Sequence, residues 1–308
     1  MALQHGSKFR LGDLTASAVD AERAAQEEQA VEPVRRFNRI VATSADGALR
    51  YPNERPAFAE CLLNHLDHWA KAGALTGSNS QQGEFEKKWG AITYSFGFAE
   101  TKDLAGSGQR ERIARWLLVL GRDVRREYEQ PPGLSLRPHH RANNHAYWAA
   151  LSAAAVGIAT DDRALFGWGM SRFATALSDI SDAGLLPLEL RRGPRALEYH
   201  RFALEPLLML ALIARANDLA LPPGGEAALR RLIATVRQGN ESPALFQHLT
   251  GTAQIAIDDS PRNIWVWAEM AQRLFPDLGL ESRIAPHRPY VRTWLGGDLT
   301  LRLASPGR

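Results

Sequence analysis

One cysteine, Cys61, among 308 residues leaves no partner for an intramolecular disulfide and rules out a multi-cysteine zinc site. Long apolar runs are missing too. The longest near the middle, 206–214, falls far short of the roughly 18–20 residues a membrane-spanning helix needs, so no membrane insertion is expected. The first residues carry no basic head, apolar stretch and small-residue cleavage site of a secretory signal, which fits a cytoplasmic chain or a trimmed one. Lys and Arg exceed Asp and Glu by a net charge of only +3, and no nucleic-acid partner is expected. Several chemical signatures are absent as well. There is no G-x-S-x-G elbow, P-loop, dinucleotide-binding G-x-G-x-x-G after a strand, or H-E-x-x-H, which excludes the marked forms of those enzyme classes.

What is present is globular composition, 45% hydrophobic and 23% charged, enough for a substantial core. Apolar residues recur at helical spacing over 58–72, 110–127, 145–160, 162–180, 195–217, 225–237 and 264–275. Turn signals separate them, among them Gly106-Ser107-Gly108, Pro131-Pro132-Gly133, Asp182-Ala183-Gly184 and Pro222-Pro223-Gly224-Gly225. No stretch alternates cleanly enough for a central strand. The pattern predicts an all-α fold of antiparallel helix pairs, of which an α/α toroid or barrel is one form. No linker divides the chain, so 1–308 reads as one domain, with the polar residues 1–35 as an amino-terminal lid or arm.

Two clusters concentrate chemically useful side chains. Asn143-Asn144-His145-Ala146-Tyr147-Trp148 opens one helix, and asparagine there caps free backbone N–H groups; two asparagines, a histidine and two aromatics exceed what a cap needs. The second runs from Leu186 to His200, LPLELRRGPRALEYH. A helix beginning near Arg195 puts Arg195 and Tyr199 on one face, where the guanidinium favours the ionised phenol. The bland readings are a capped helix with a packed aromatic pair, and a half-buried tyrosine beside solvated arginines. Arginine clusters at 122–126, 137–141 and 191–195 would draw a polyanion if they line a groove. His65 and His68, at i, i+3, have metal-ligand spacing but read better as ordinary helix residues; no metal or other cofactor is expected.

Taken together, NNHAYW and LPLELRRGPRALEYH resemble the alginate lyases of polysaccharide lyase family five. Further similarity lies in Cys61-Leu62-Leu63 with Asp67 to Leu75, in Phe166-Gly167-Trp168, in Leu295 to Thr300, and in Ser7-Lys8-Phe9, which is similar to a lysine-bearing segment of that family's lid. The resemblance implies an incomplete α/α toroid that cleaves β-linked uronate polymers by β-elimination without a cofactor, in the periplasm, from a chain whose leader is removed. It implies an anionic polysaccharide as partner, and a monomer is expected. By resemblance, Asn144 and Arg192 neutralise the substrate carboxylate and Tyr199 is the catalytic base and acid. His145 holds the carboxylate, assists Tyr199, or acts as base from the opposite face. Lys8, Trp89 and Trp148 are candidate substrate contacts, and Arg195 and His200 are placed near the site. Glu269, in a W-x-E segment, serves either the site or a structural bond.

The chemistry asks for these groups on its own terms. Removing the C5 proton beside an ionised carboxylate builds further negative charge, so donors aimed at that carboxylate stabilise the transition state most. A base must reach C5–H and an acid the oxygen on C4. In mannuronate and glucuronate both lie on one side of the ring and a single tyrosine can serve; in guluronate the C5 proton is inverted. The chain departs from the family at Leu188, where members usually carry asparagine, and at Gly193-Pro194, which replaces a more basic and polar pair. Both changes flank Arg192 and bear on the choice of sugar, with mannuronate-rich alginate as leading substrate and polyglucuronate beside it. Two rivals remain: a toroidal glycoside hydrolase drawing its acids from Asp179, Asp182, Glu189 and Glu198, and a non-catalytic polysaccharide-binding protein.

Overall fold

A computed structural model describes residues 2–13, 15–129 and 141–304. The turn at 131–133, residues 137–140 of the basic segment, and with them His139 and His140, lie outside the described residues. The long helices are α1 (Ala21–Arg50), α2 (Arg55–Lys71), α3 (Gln81–Thr101), α4 (Ser107–Glu129), α5 (Asn144–Thr160) and α6 (Arg163–Ser178). After the short α7 (Pro187–Leu190) come α8 (Ala196–Ala216) and α9 (Gly225–Glu241), then short α10 (Ala244–Thr250) and α11 (Pro261–Ile264). The chain ends with α12 (Val266–Leu274), α13 (Glu281–Ile284), a two-residue antiparallel pair, β1 (Val291–Arg292) with β2 (Gly297–Asp298), and α14 (Leu299–Ala304). This is the expected all-α architecture, an α/α toroid.

Helix α5 is the hub. Its alanine-rich sequence lets α3, α4, α6 and α8 all approach it closely. One face, through Ala153, Val156 and Ala159, joins the core built by α1 to α4; the other faces belong to the core of α6, α8, α9 and α12. The α5–α6 approach depends on Gly169, where a Cβ would fall 2.6 Å from the Ala150 carbonyl oxygen. The carboxy-terminal segment closes onto the amino-terminal half through ionic contacts. Asp298, in β2, accepts from Arg50 at 2.6 Å, while Asp46 accepts from the Asp298 N–H at 2.9 Å and from Arg302 at 3.1 Å. Gly297 has φ +126°, and a Cβ there would sit 2.4 Å from an Asp46 oxygen, so the tight pairing at this closure requires glycine.

The structure revises the amino-terminal boundary. Asp20 caps α1 by accepting from the Arg23 N–H at 3.1 Å, and Val31, Val34 and Phe37 already lie in the core. Only the residues before Ala21 form an arm. They fold as a small hairpin, with a bridge between Phe9 and Val19, bonds from Arg10 N to Ala18 O and from Asp20 N to Lys8 O, and the Asp13 carboxylate accepting from Thr15, Ser17 and Ala18 inside the turn.

Candidate active site

The start of α5 is built around two asparagines with different tasks. Asn143 is the cap, its side-chain oxygen accepting from the His145 N–H at 3.0 Å. Asn144 is fully buried and donates twice to one oxygen of Glu189, from its backbone N–H at 2.7 Å and from Nδ2 at 2.9 Å. A carboxylate at the first turn also answers the helix dipole. Burial pushes the Glu189 carboxyl up, opposed by the two Asn144 bonds and the Arg192 charge. The Asn144 side-chain oxygen and the second Glu189 oxygen are buried without a hydrogen-bond partner among the described residues. Polar atoms left so in a core mark a place where a ligand or water completes the bonding.

His145 follows, half-exposed. Its ring stacks on Phe85 at 3.9 Å between centroids and 14° between planes, and its Nδ1 lies 3.2 Å from the Lys88 ammonium nitrogen. Trp89, one residue on, tilts 6.1 Å from the same ring and forms a partly exposed aromatic wall with Phe202 and Trp294.

The second cluster folds as expected between α7 and α8. Gly193 takes φ +55°, and Gln254 clamps the turn by donating to the Gly193 carbonyl at 3.0 Å and accepting from the Leu197 N–H at 3.1 Å. The Arg192 guanidinium lies over the Tyr199 ring, 3.9 Å from its centroid, and Arg195 is 4.8 Å from it. Arg195 forms a two-pronged pair with Glu198, both contacts 2.9 Å, and donates weakly to the Tyr199 hydroxyl at 3.5 Å. Burial works to lower the Arg195 pKa, but the bonds to Glu198 and the charges around it win, so it stays a firm cation. The amino-terminal hairpin closes over this corner: Arg195 donates to the Ala16 carbonyl and lies 5.1 Å from the Phe9 ring.

Arg192, Arg195 and Tyr199 therefore share one corner, Glu189 links Asn144 to it through the Arg192 charge, and His145 with Trp89 lies beside Asn144. Two other expectations are corrected. Trp148 was expected to offer a stacking face; it is 0% exposed and packed 5.0 Å from Phe202, because at the fifth position of α5 it points into the hub of the core. His200 was expected beside the substrate; it is completely buried, and both ring nitrogens are committed to backbone groups. Lys8 belongs to the hairpin; its ammonium lies 5.6 Å over the Phe9 ring, and its N–H donates to Glu27 at 2.8 Å. Glu269 binds Arg288 at 2.9 Å, a structural tie.

Lys88 and Glu189 escaped the sequence reading as members of the site. Lys88 sits in a Lys87-Lys88 pair that reads as surface, and Glu189 was considered only as a hydrolase acid. The hydrolase acids do not converge. Asp179 accepts from the Tyr147 hydroxyl at 3.1 Å, Glu198 is engaged by Arg195, and Asp182 is in solvent. Among the described residues no group of three or more His, Cys, Asp or Glu could hold a metal ion.

Comparison with known proteins gives the family and the fold. The family model described as alginate lyase matches residues 15–246. A polysaccharide lyase of Stenotrophomonas maltophilia is 36% identical over 94% of this chain and 84% of its own length, and an alginate lyase of Pseudomonas putida 32% identical over 97% and 82%. Among solved structures, alginate lyase A1-III from a Sphingomonas species superposes with TM-score 0.80 at 26% identity, covering 99% of this chain and 84% of that one. A variant of A1-III complexed with a tetrasaccharide gives 0.82 at 25% identity, covering 98% and 82%. With the family model spanning most of the chain and relatives above 30% identity along nearly all of it, the chain belongs to the alginate lyase family of polysaccharide lyases.

Proposed function

We propose that this lyase cleaves 4-linked β-D-uronate polymers by β-elimination, with polymannuronate and mannuronate-rich alginate as leading substrates and polyglucuronate as a further one, leaving 4,5-unsaturated uronate ends. The observation that carries this reading is the corner where Arg192 and Arg195 lie over the Tyr199 ring, Arg195 also reaching its hydroxyl, beside a Glu189 that anchors Asn144. Asn144 has one Nδ2 proton engaged by Glu189 and a second to give to the substrate carboxylate, and Arg192 supplies charge beside it. These donors stabilise the carboxylate most as electrons from the C5–H bond move into it. Tyr199, as phenolate, takes the C5 proton. The C4=C5 double bond forms, the C4–O bond breaks, and the proton passes from Tyr199 to the departing oxygen, so no water is consumed. The arginines place positive charge where the phenolate must exist.

The amino-terminal hairpin acts as a lid, since it reaches Arg195 through Ala16 and Phe9. Polyglucuronate differs from polymannuronate only at C2, away from the reacting bonds. The departures at Leu188 and Gly193 are where such a difference would be read: a Cβ at Gly193 would lie 3.7 Å from Thr15 of the hairpin. The protein acts as a monomer in the periplasm, which light scattering and cell fractionation test.

The decisive assay incubates the protein, with chelator, against polymannuronate, polyguluronate and polyglucuronate and follows the ultraviolet absorbance of the new double bond. A rise ranked with polymannuronate first is expected. New reducing ends without absorbance would replace elimination by hydrolysis, and silence in both would leave binding alone.

A further inference from the structure

Lys88 is a buried group that the reaction above does not use. It is 1% exposed on α3, and no carboxylate among the described residues touches it. Its Nζ lies 2.7 Å from the Tyr128 hydroxyl, 3.2 Å from His145 Nδ1 and 3.2 Å from the His145 carbonyl oxygen. The rings of Phe85 and Tyr128 are 4.7 and 4.9 Å from it. Lysine is almost never fully buried unless paired, and a methionine would fill this space without the desolvation cost. An amine kept here at that cost has work to do on the groups it touches.

We propose that Lys88 is a positioning residue for His145: by donating to Nδ1 it commits the imidazole to the tautomer protonated on Nε2, so that His145 meets the substrate as a hydrogen-bond donor and not as a base. The argument holds in either charge state. As an ammonium, Nζ has only protons to give, and Nδ1 can only accept. As an amine, it spends one N–H on the His145 carbonyl, which can only accept, and has one N–H and one lone pair for Tyr128 and Nδ1. The buried phenol keeps its proton, burial pushing its pKa well up, and a phenol is a stronger acid than an imidazole N–H. The lone pair therefore takes the Tyr128 proton and the remaining N–H goes to Nδ1. Burial also pushes the Lys88 ammonium well below the ordinary lysine range, against the charges of Glu127 and Glu84. Phe85, stacked on the imidazole, fixes the ring plane.

The consequence for specificity rests on the elimination reading above. An Nε2–H helps neutralise the substrate carboxylate while Tyr199 handles both protons, which suits mannuronate. Guluronate would need a base on the other face, and this tautomer presents none.

The test reads the tautomer directly. In protein carrying 15N-histidine, with the His145 signals assigned by their loss in His145→Gln, wild type should show a protonated Nε2 and a bare Nδ1. Lys88→Met should shift His145 toward a mixture, lower kcat on polymannuronate about tenfold with KM little changed, and narrow the gap to polyguluronate. A proton on Nδ1 in wild type overturns the assignment, as does a folded Lys88→Met protein with unchanged tautomer and kcat. Should that variant not fold, the wild-type spectrum decides alone. The spectrum needs no turnover, so a bare Nδ1 in a protein inactive on every polymer would sink the elimination reading and keep the role of Lys88.

Discussion

His145 and His200 lie near the starts of the two helices that carry the site, and their surroundings use the same ring in opposite ways. At the start of α8, His200 is sealed in: its Nδ1–H donates to the Ala196 carbonyl at 2.7 Å and its Nε2 accepts from the Leu186 N–H at 3.0 Å. Burial pushes its pKa down to about 4, so it serves as a neutral pin between the α7 loop and α8. At the start of α5, His145 stays half-exposed, with one edge turned to Lys88 and its face on Phe85. The difference teaches that neighbourhood in a motif does not assign a role. What matters is where the fold leaves the ring: His200 is sealed between backbone groups, and His145 is half-exposed.

Four substitutions test that contrast. The largest effect belongs to Tyr199→Phe, which keeps the ring under Arg192 and removes only the hydroxyl; turnover should fall by about a thousandfold or more with polymer binding largely kept. Near-normal turnover in a folded variant would take the proton transfers away from the start of α8. Arg192→Ala should follow, losing about a hundredfold to a thousandfold in kcat, with KM changing less. An unchanged kcat with a raised KM would make Arg192 a ground-state contact.

Third, His200 should write its burial into the pH dependence of stability. Its folded pKa of about 4 lies below the unfolded 6.5, so the stabilisation is complete above pH 6.5 and is lost as pH falls from 6.5 toward 4, in total about 3 kcal/mol. Melting temperatures across that window should drop less steeply for His200→Gln than for wild type. Parallel curves would mean that His200 titrates in the folded protein as it does unfolded. The smallest effect is Trp148→Phe. As a core residue it should cost about 1–2 kcal/mol of stability and leave KM unchanged; a raised KM at unchanged stability would restore it to the substrate.

The legible parts of the fold were helices with one buried stripe. On α4, Ile113, Trp116, Leu117 and Leu120 recur on one face and all are buried. Helix α3 was illegible for the opposite reason: Lys87, Lys88, Thr93 and Ser95 are buried alongside Phe85, Ile92 and Phe98, so polarity does not mark its outside. Helix α1 hid in the same way, since its polar first turns look like an arm until Val31. Within the candidate site, the nearness of Arg192, Arg195 and Tyr199 was readable because they lie in one motif a few residues long. Trp148 and His200 were misplaced because packing sets their surroundings: Phe202 of α8 lies against Trp148, and the Leu186 N–H and the Ala196 carbonyl hold both nitrogens of His200.

The chain by itself determined the helical periods, the caps at Asp20 and Asn143, the turn at Gly193, and a family signature dense enough to name a chemistry. Those properties arise within a few residues of one another, from backbone preference and local hydrogen bonding. Only the tertiary structure decided which oxygen holds Asn144, what sits behind His145, and that the hairpin closes on Arg195. These contacts join residues 45, 57 and 179 positions apart, and their partners are set by how α3, α5 and α8 pack.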